Sequence, residues 1–361
     1  MEVPRSLAAG NFACDLFLNQ VLITSKTHIM VKLSIGIDIG GTNTAIGVVD
    51  HEGKVLIEDS LPTPPKKYNP AADKQVSDDL LNGFISDISK IVKSLIAKID
   101  LKHEIVGIGI GAPNANYNKG TIEDAPNLPF IGKVPFCELL SEEFPDMPNI
   151  FITNDANAAA LGEKIYGGAR DMDNFMMFTL GTGVGSGLYY KGNVVYGVDG
   201  FAGECGHNTI IADGRLCGCG GRGHLEAYCS APGMKRTAFE LLLRENAEDS
   251  LLTAYSYKEM TAKHIYDAAV QGDKIALEVF KLTGDYFGMA LATTIHHFSP
   301  EAIFLFGGPV AAGELIIKPI KDGLKKHTMP IFLKRDIPVL VSELDMGHAA
   351  ILGASALVWN V

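Results

Sequence analysis

The sequence predicts an α/β protein built from two similar lobes that face each other across a cleft. Two observations carry this. A strand, a glycine-threonine turn and two more strands occur at residues 33–57 and again at 175–196, an offset of about 140 residues that suggests a duplicated unit. The chain is also long and apolar enough for two cores, with 361 residues of which 47% are hydrophobic.

Residues 33–39 alternate and read as a strand. A glycine-glycine-threonine turn leads to a second strand at 45–49, and the turn Asp50-His51-Glu52-Gly53 leads to a third at 54–57. Apolar residues at helical spacing, among them Leu81, Phe84, Ile85, Ile88 and Val92, predict a helix over 76–99. A buried strand at 105–110 ends in Gly111-Ala112-Pro113-Asn114. Another at 150–153 ends at Asn154-Asp155, where a helix begins. The opening pattern then returns: a strand at 175–180, the turn Gly181-Thr182-Gly183, and strands at 187–190 and 194–196. Residues 232–298 read as mostly helical. A buried strand at 302–306 ends in Gly307-Gly308, and a strand at 338–341 and a helix at 349–358 close the chain. Residues 1–29 fit no element; they read as an extension upstream of a natural start at Met30, with a surface helix as the alternative.

A formal net charge of −11 gives the chain no electrostatic reason to bind nucleic acid or an anionic membrane. No run of 18 apolar residues suggests a membrane span, and no signal peptide is evident, which points to the cytoplasm. Cys14, Cys137, Cys205, Cys217, Cys219 and Cys229 are the six cysteines. The last four lie within 25 residues, a clustering that reads as metal binding rather than disulfides.

Five motifs carry chemistry. In Asp38-Ile39-Gly40-Gly41-Thr42-Asn43, glycines let backbone N–H groups approach a phosphate, Thr42 adds a hydroxyl, and Asp38 suits a hydrated Mg²⁺. Taken alone, this is as well read as a tight hairpin. Gly181-Thr182-Gly183-Val184-Gly185-Ser186-Gly187 repeats the logic in the second half, so the pair reads as two jaws on one polyphosphate. The P-loop pattern is absent. Asp155 sits where a strand meets a helix N-terminus, which favours a charged carboxylate able to accept a proton from an alcohol, with Asn154 free to anchor substrate. The simpler reading is a helix cap. His207, Cys217, Cys219 and His224 offer two thiolates and two imidazoles, a set suited to structural tetrahedral Zn²⁺, against the alternative of a surface loop with free thiols. Zinc there would set Glu204, His207 and Glu226 for a polyhydroxylated ligand such as a sugar. Finally, Gly307 and Gly308 end a buried strand where a flat ring could lie on backbone.

Taken together, Asp38 to Asn43, Asn154-Asp155, Gly181 to Gly187, Glu204 to His207 and Cys217 to Glu226 resemble the ROK family of sugar kinases and repressors, from about Leu33 to the C-terminus. The resemblance implies a two-domain actin-like ATPase (ribonuclease H-like) fold with an interdomain cleft. One lobe would span 30–154, joined by the C-terminal helix at 345–361, and the other 155–344 with a zinc loop at 204–226. It implies Asp155 as catalytic base, and Asn154, Glu204, His207 and Glu226 as sugar contacts, with Asn114 and Asn127 as further ones. Asp38, Gly40, Gly41, Thr42, Asn43, Gly181, Thr182 and Gly183 would hold the phosphates of ATP with Mg²⁺, and Gly307 and Gly308 the adenosine. His207, Cys217 and Cys219 match zinc ligands. The family usually has a third cysteine where this chain has His224, which leaves Cys205 and Cys229 as alternative ligands.

The expected activity is phosphorylation of a hexose hydroxyl, glucose first, with N-acetylglucosamine, N-acetylmannosamine, fructose and allose as alternatives, by a homodimer. A sugar-sensing repressor is a second class; the roughly 32 residues before the first strand show no convincing DNA-binding helix pair. A non-catalytic ATPase of the same fold is a third, but it would need neither the Glu204–His207 segment nor the cysteine cluster.

Overall fold

The structure, a computed structural model, describes residues 30–65 and 74–360. The N-terminal extension at 1–29 lies outside the described residues. The described residues open with β1 (Val31–Ile39), β2 (Asn43–Asp50), β3 (Val55–Pro62) and α1 (Lys74–Ala97). They continue with β4 (His103–Gly111), three short strands, β5 (Ala115–Asn116), β6 (Thr121–Glu123) and β7 (Lys133–Val134), then α2 (Phe136–Glu143) and β8 (Ile150–Thr153).

Next come α3 (Asp155–Ile165), β9 (Phe175–Leu180), β10 (Val184–Tyr190), β11 (Asn193–Val194), α4 (Glu226–Cys229), α5 (Ala231–Glu245), α6 (Ala262–Val270), α7 (Lys274–Phe298), β12 (Ala302–Phe306), α8 (Glu314–His327) and β13 (Val339–Val341). The chain closes with α9 (Ala349–Ala356).

The duplication is visible in the topology. One sheet has the order β3-β2-β1-β4-β8 and the other β11-β10-β9-β12-β13. In each, a hairpin of two antiparallel strands supplies the central strand, which then pairs in parallel with strands reached through longer connections. Both glycine-threonine turns therefore close the same kind of hairpin, and each lies at the C-terminal end of its central strand, the edge where open α/β sheets form ligand crevices.

The cores follow from sequence periodicity. Leu81, Phe84, Ile85, Ile88, Val92 and Leu95 of α1 are buried against the first sheet with Leu33, Ile35, Ile37, Ile108 and Ile110. The second sheet is covered by α7 and α8, whose Phe287, Leu291, Ile316 and Ile320 join Met176, Phe178, Ile303 and Leu305 in one cluster.

Several glycines serve packing rather than ligand approach. Gly36 pairs with Gly47 on one side and Gly109 on the other, so three strands present a bare row. Helix α9 lies on it: a methyl group at Gly36 would collide with the Ile351 carbonyl oxygen, and one at Gly109 with that of Ala354. The last helix of the chain thus packs on the first sheet. Helix α3 lies next to it, with a methyl at Gly162 coming within 3.1 Å of Gly353 Cα. Its other side meets β10, where a methyl at Gly187 would come within 2.7 Å of the Ala156 carbonyl oxygen. Small residues thus wedge α3 between α9 and the second sheet.

The structure adds elements that sequence periodicity does not show. The β5-β6-β7 sheet consists of strands too short to alternate visibly, and α8 contains Pro319, which normally argues against a helix. The region at 232–298 resolves into α5, α6 and α7.

Candidate active site

Strand β8 delivers Asn154 and Asp155 to the start of α3. Asn154 is the N-cap: its Oδ1 accepts from the Asn157 N–H at 2.7 Å. Its Nδ2 donates to Glu204 Oε1 at 3.2 Å, so the cap also ties β8 to the segment before the Cys205–His207 3₁₀ turn. The capping reading of Asn154 is thus met, and the same side chain also holds Glu204. Asp155 accepts from the Ala156 N–H at 2.9 Å and remains open to solvent.

Burial is the dominant influence on Asp155 and raises its pKa, against the opposing backbone hydrogen bonds. This corrects the sequence expectation that the helix terminus controls its ionisation. Asp155 is nevertheless exposed at the surface, so the desolvation is partial; a raised pKa makes it a stronger base while leaving it ionised at sufficiently high pH.

Asp38 ends β1 and is pushed up to about 6, first by burial and second by the charge of Asp155. Two carboxylates from different elements thus sense each other across the crevice floor. Glu204 is raised by burial; the nearby Asp155 and Glu226 charges add to this, and His207 and the Asn154 hydrogen bond oppose it. Asp155, Glu204 and Glu226 belong to one electrostatic neighbourhood.

The two glycine turns flank this neighbourhood. In the first, the Gly40 N–H donates to the Asn43 carbonyl at 3.0 Å, and Gly41, Thr42 and Asn43 are exposed. A methyl at Gly41 would lie 3.1 Å from Asn127 Cβ, so the predicted sugar-contact loop borders the predicted phosphate turn. In the second, the Gly181 N–H donates to the Gly183 carbonyl at 2.9 Å and Thr182 is exposed. Glu226, the first residue of α4, accepts from the Val184 N–H through Oε2 at 3.1 Å, and its Oε1 accepts from the Cys217 thiol at 3.3 Å. Gly307 adopts φ +112°, and a methyl there would collide with the Leu180 carbonyl oxygen, while Gly308 borders open space. Asn114 is exposed in the left-handed region at φ +51°, and its Nδ2 donates to the Glu123 and Asp124 carbonyls at 3.1 and 3.2 Å.

The ligating atoms of His207, Cys217, Cys219 and His224 all lie within 4.8 Å of one another. Cys219 Sγ is 3.2 Å from His224 Nδ1, and Cys217 Sγ is 3.7 Å from His207 Nδ1. A set of two sulfurs and two nitrogens converging in this way fits tetrahedral Zn²⁺. Of the two alternative ligands, the Cys229 thiol donates to the Thr283 carbonyl at 3.4 Å, and Cys205 is buried with its N–H donating to Ser186 Oγ at 2.9 Å.

Sequence reasoning did not find the supports of this site. The Val184 N–H that orients Glu226, and the contacts of Asn116, Tyr117 and Asn118 with residues 196–200, join positions far apart in the chain. They leave no local signal.

The sequence profile of the ROK family matches residues 34–361. The chain is 33% identical over 331 residues to the glucokinase of Thermotoga maritima, covering 91% of this chain and 98% of the relative. It is 28% identical over 328 residues to the xylose repressor of Caldicellulosiruptor bescii, covering 90% of this chain and 77% of the relative. Among solved structures, a ROK family glucokinase from Streptomyces griseus in complex with glucose and AMPPNP superposes with a TM-score of 0.71 at 32% identity, covering 90% of this chain and 98% of that one.

Proposed function

The chain belongs to the ROK family, and from that premise we propose that it is an ATP-dependent sugar kinase that transfers the γ-phosphoryl group of ATP to a hexose hydroxyl. Glucose is the leading substrate and O6 the acceptor oxygen, since relatives that match across nearly their full length are glucokinases. The observation that carries the reading is the placement of Asp155: an open carboxylate beside the Asn154–Glu204 pair, facing Asp38, between two glycine turns.

In this reading Asp155 orients the acceptor hydroxyl and takes its proton as the new P–O bond forms. Asn114, Asn127, Asn154, Glu204, His207 and Glu226 bind the sugar. Gly40 to Asn43 and Gly181 to Gly183 supply backbone donors to the phosphates, and Gly307 and Gly308 leave a flat approach for adenosine. Asp38 is the residue placed to hold the Mg²⁺ that neutralises phosphate charge. His207, Cys217, Cys219 and His224 are the set to hold a structural Zn²⁺, which would rigidify the loop carrying Glu226. The division into lobes at 30–154 and 155–344, with the segment from 345 onward returning to the first lobe, a homodimeric state and a cytoplasmic site complete the proposal. Among the described residues no helix is long and apolar enough to cross a membrane.

The test is ADP release, coupled to a spectrophotometric readout, across a panel of glucose, N-acetylglucosamine, N-acetylmannosamine, fructose and allose. Glucose should give the highest kcat/KM. Replacing Asp155 by Asn should lower kcat by about 1000-fold or more while sugar affinity changes little, because a base used only in the transition state is lost. Wild-type turnover in D155N would remove Asp155 as the base.

A further inference from the structure

The first lobe's β5-β6 hairpin touches the second lobe's loop at 196–200 through three consecutive residues. Asn116 is fully buried, and its Nδ2 donates to the Asp199 carbonyl at 2.7 Å and to Glu123 Oε1 at 3.2 Å. Tyr117 stacks on Tyr196, with ring centroids 4.2 Å apart and planes 3° from parallel. Asn118 Nδ2 donates to the Gly197 carbonyl at 3.0 Å. The loop is built to accept this clasp. Gly200 has φ +90°, and a methyl there would collide with Asn116 Oδ1.

The clasp reaches the site from both sides. On the first-lobe side, the Glu123 carboxylate that binds Asn116 also accepts from Thr121 at 3.0 Å and Lys119 at 3.1 Å, while its backbone carbonyl holds Asn114 Nδ2. On the second-lobe side, Asp199 is five positions before Glu204, with the Asp199 carboxylate turned back onto the Phe201 N–H at 3.2 Å. One buried amide thus stands between the turn bearing Asn114 and the loop bearing Glu204.

We propose that Asn116 is a positioning residue for sugar recognition, fixing the loop at 196–203 across the lobe boundary so that Glu204 meets the sugar while the lobes move. The inference rests on the sugar-kinase reading above. It predicts a specific division of effects. The loop at 196–203 carries no residue assigned to ATP, so loosening it should weaken the sugar and spare the nucleotide.

The discriminating variant is Asn116→Asp, which keeps the volume but replaces the donor with an acceptor facing the Asp199 carbonyl and the Glu123 carboxylate. Sugar KM should rise about tenfold or more, with ATP affinity measured by calorimetry in the absence of sugar unchanged within about twofold. That ATP binding also certifies the fold. Asn118→Ala, an exposed change in the same clasp, should raise sugar KM by about two- to threefold with the same selectivity. Unchanged sugar KM in a folded N116D, or equal losses for sugar and ATP in both variants, overturns the inference. If wild-type protein phosphorylates no sugar on the panel, the kinase reading fails first, and the two failures are told apart by that control.

Discussion

The two glycine turns close matching hairpins in matching sheets, yet their surroundings differ in kind. The turn at 40–43 is bordered by carboxylates, Asp38 at its root and Asp155 across the crevice, and by the Asn127 loop. The turn at 181–183 is bordered by Glu226, whose two oxygens are held by the Val184 N–H and the Cys217 thiol. The first side concentrates charge that must be neutralised or protonated. The second is braced by a loop that converging thiols and imidazoles can lock. The duplication supplied two equivalent cradles, and what packs against each made one the reactive side and the other the rigid side.

This contrast is sharpest in the glycines. A methyl at Gly183 would come within 2.5 Å of Glu226 Oε2, one at Gly41 within 3.1 Å of Asn127 Cβ, and one at Gly181 meets nothing within 4 Å. Gly183→Ala should therefore displace Glu226 from the Val184 N–H and lower kcat/KM for the sugar by about 100-fold, equivalent to roughly 2.7 kcal/mol. Gly41→Ala asks the Asn127 loop to give by a few tenths of an ångström and should cost about three- to tenfold. Gly181→Ala should stay within about twofold. Steady-state kinetics on the three variants would break the comparison if Gly181→Ala proved as harmful as Gly183→Ala.

The brace on the second side can be tested through its unusual ligand. His224 stands where the family usually has cysteine, and a neutral imidazole offers zinc less charge than a thiolate. His224→Cys should bind zinc more tightly, so that about tenfold more chelator is needed to strip it, as read by metal content after dialysis. Stripping the wild type should raise sugar KM more than ATP KM, because Glu226 follows His224 by two residues in the loop the metal would hold. Metal content that is zero in freshly purified protein, with full activity, would separate the brace from zinc.

Legibility in the sequence followed the range of the interactions involved. The turns at 40–43 and 181–183, the Asn154-Asp155 junction and the Cys217–His224 loop are each written within a few residues, so their chemistry could be read directly. The glycines at 36, 47 and 109 line up only once three strands are in register, and there they seat α9, so nothing near them in the sequence reveals their packing role. The β5-β6-β7 sheet was invisible because two of its three strands are two residues long, too short for any alternation to register. Helix α8 was masked by Pro319, which lies where Gly284 of α7 leaves room for close packing of the two helices. The direction of the Asp155 shift was not legible because a helix terminus is a local feature, whereas burial, which outweighs it, depends on the folded surroundings.

The charged side of the comparison makes a prediction about stability that runs opposite to activity. Asp38 titrates near 6 in the folded protein, above its ordinary 3.8, so the folded state holds its proton more tightly than the unfolded chain does. Stability contributed by this group is therefore greatest at acid pH and falls as pH rises through that window, leaving a net cost above it. Part of the cost is repulsion from Asp155. D155N, catalytically dead in the kinase reading, should accordingly melt about 1–3 °C above wild type at pH 8, well above the pH at which Asp38 ionises in the native enzyme. At pH 5 Asp38 is mostly protonated, the repulsion is absent, and the two melting temperatures should converge. A D155N variant that melts below wild type at pH 8, or a gap that widens toward pH 5, would mean that the two carboxylates are not opposed across the crevice and that the reactive character of the first turn has another source.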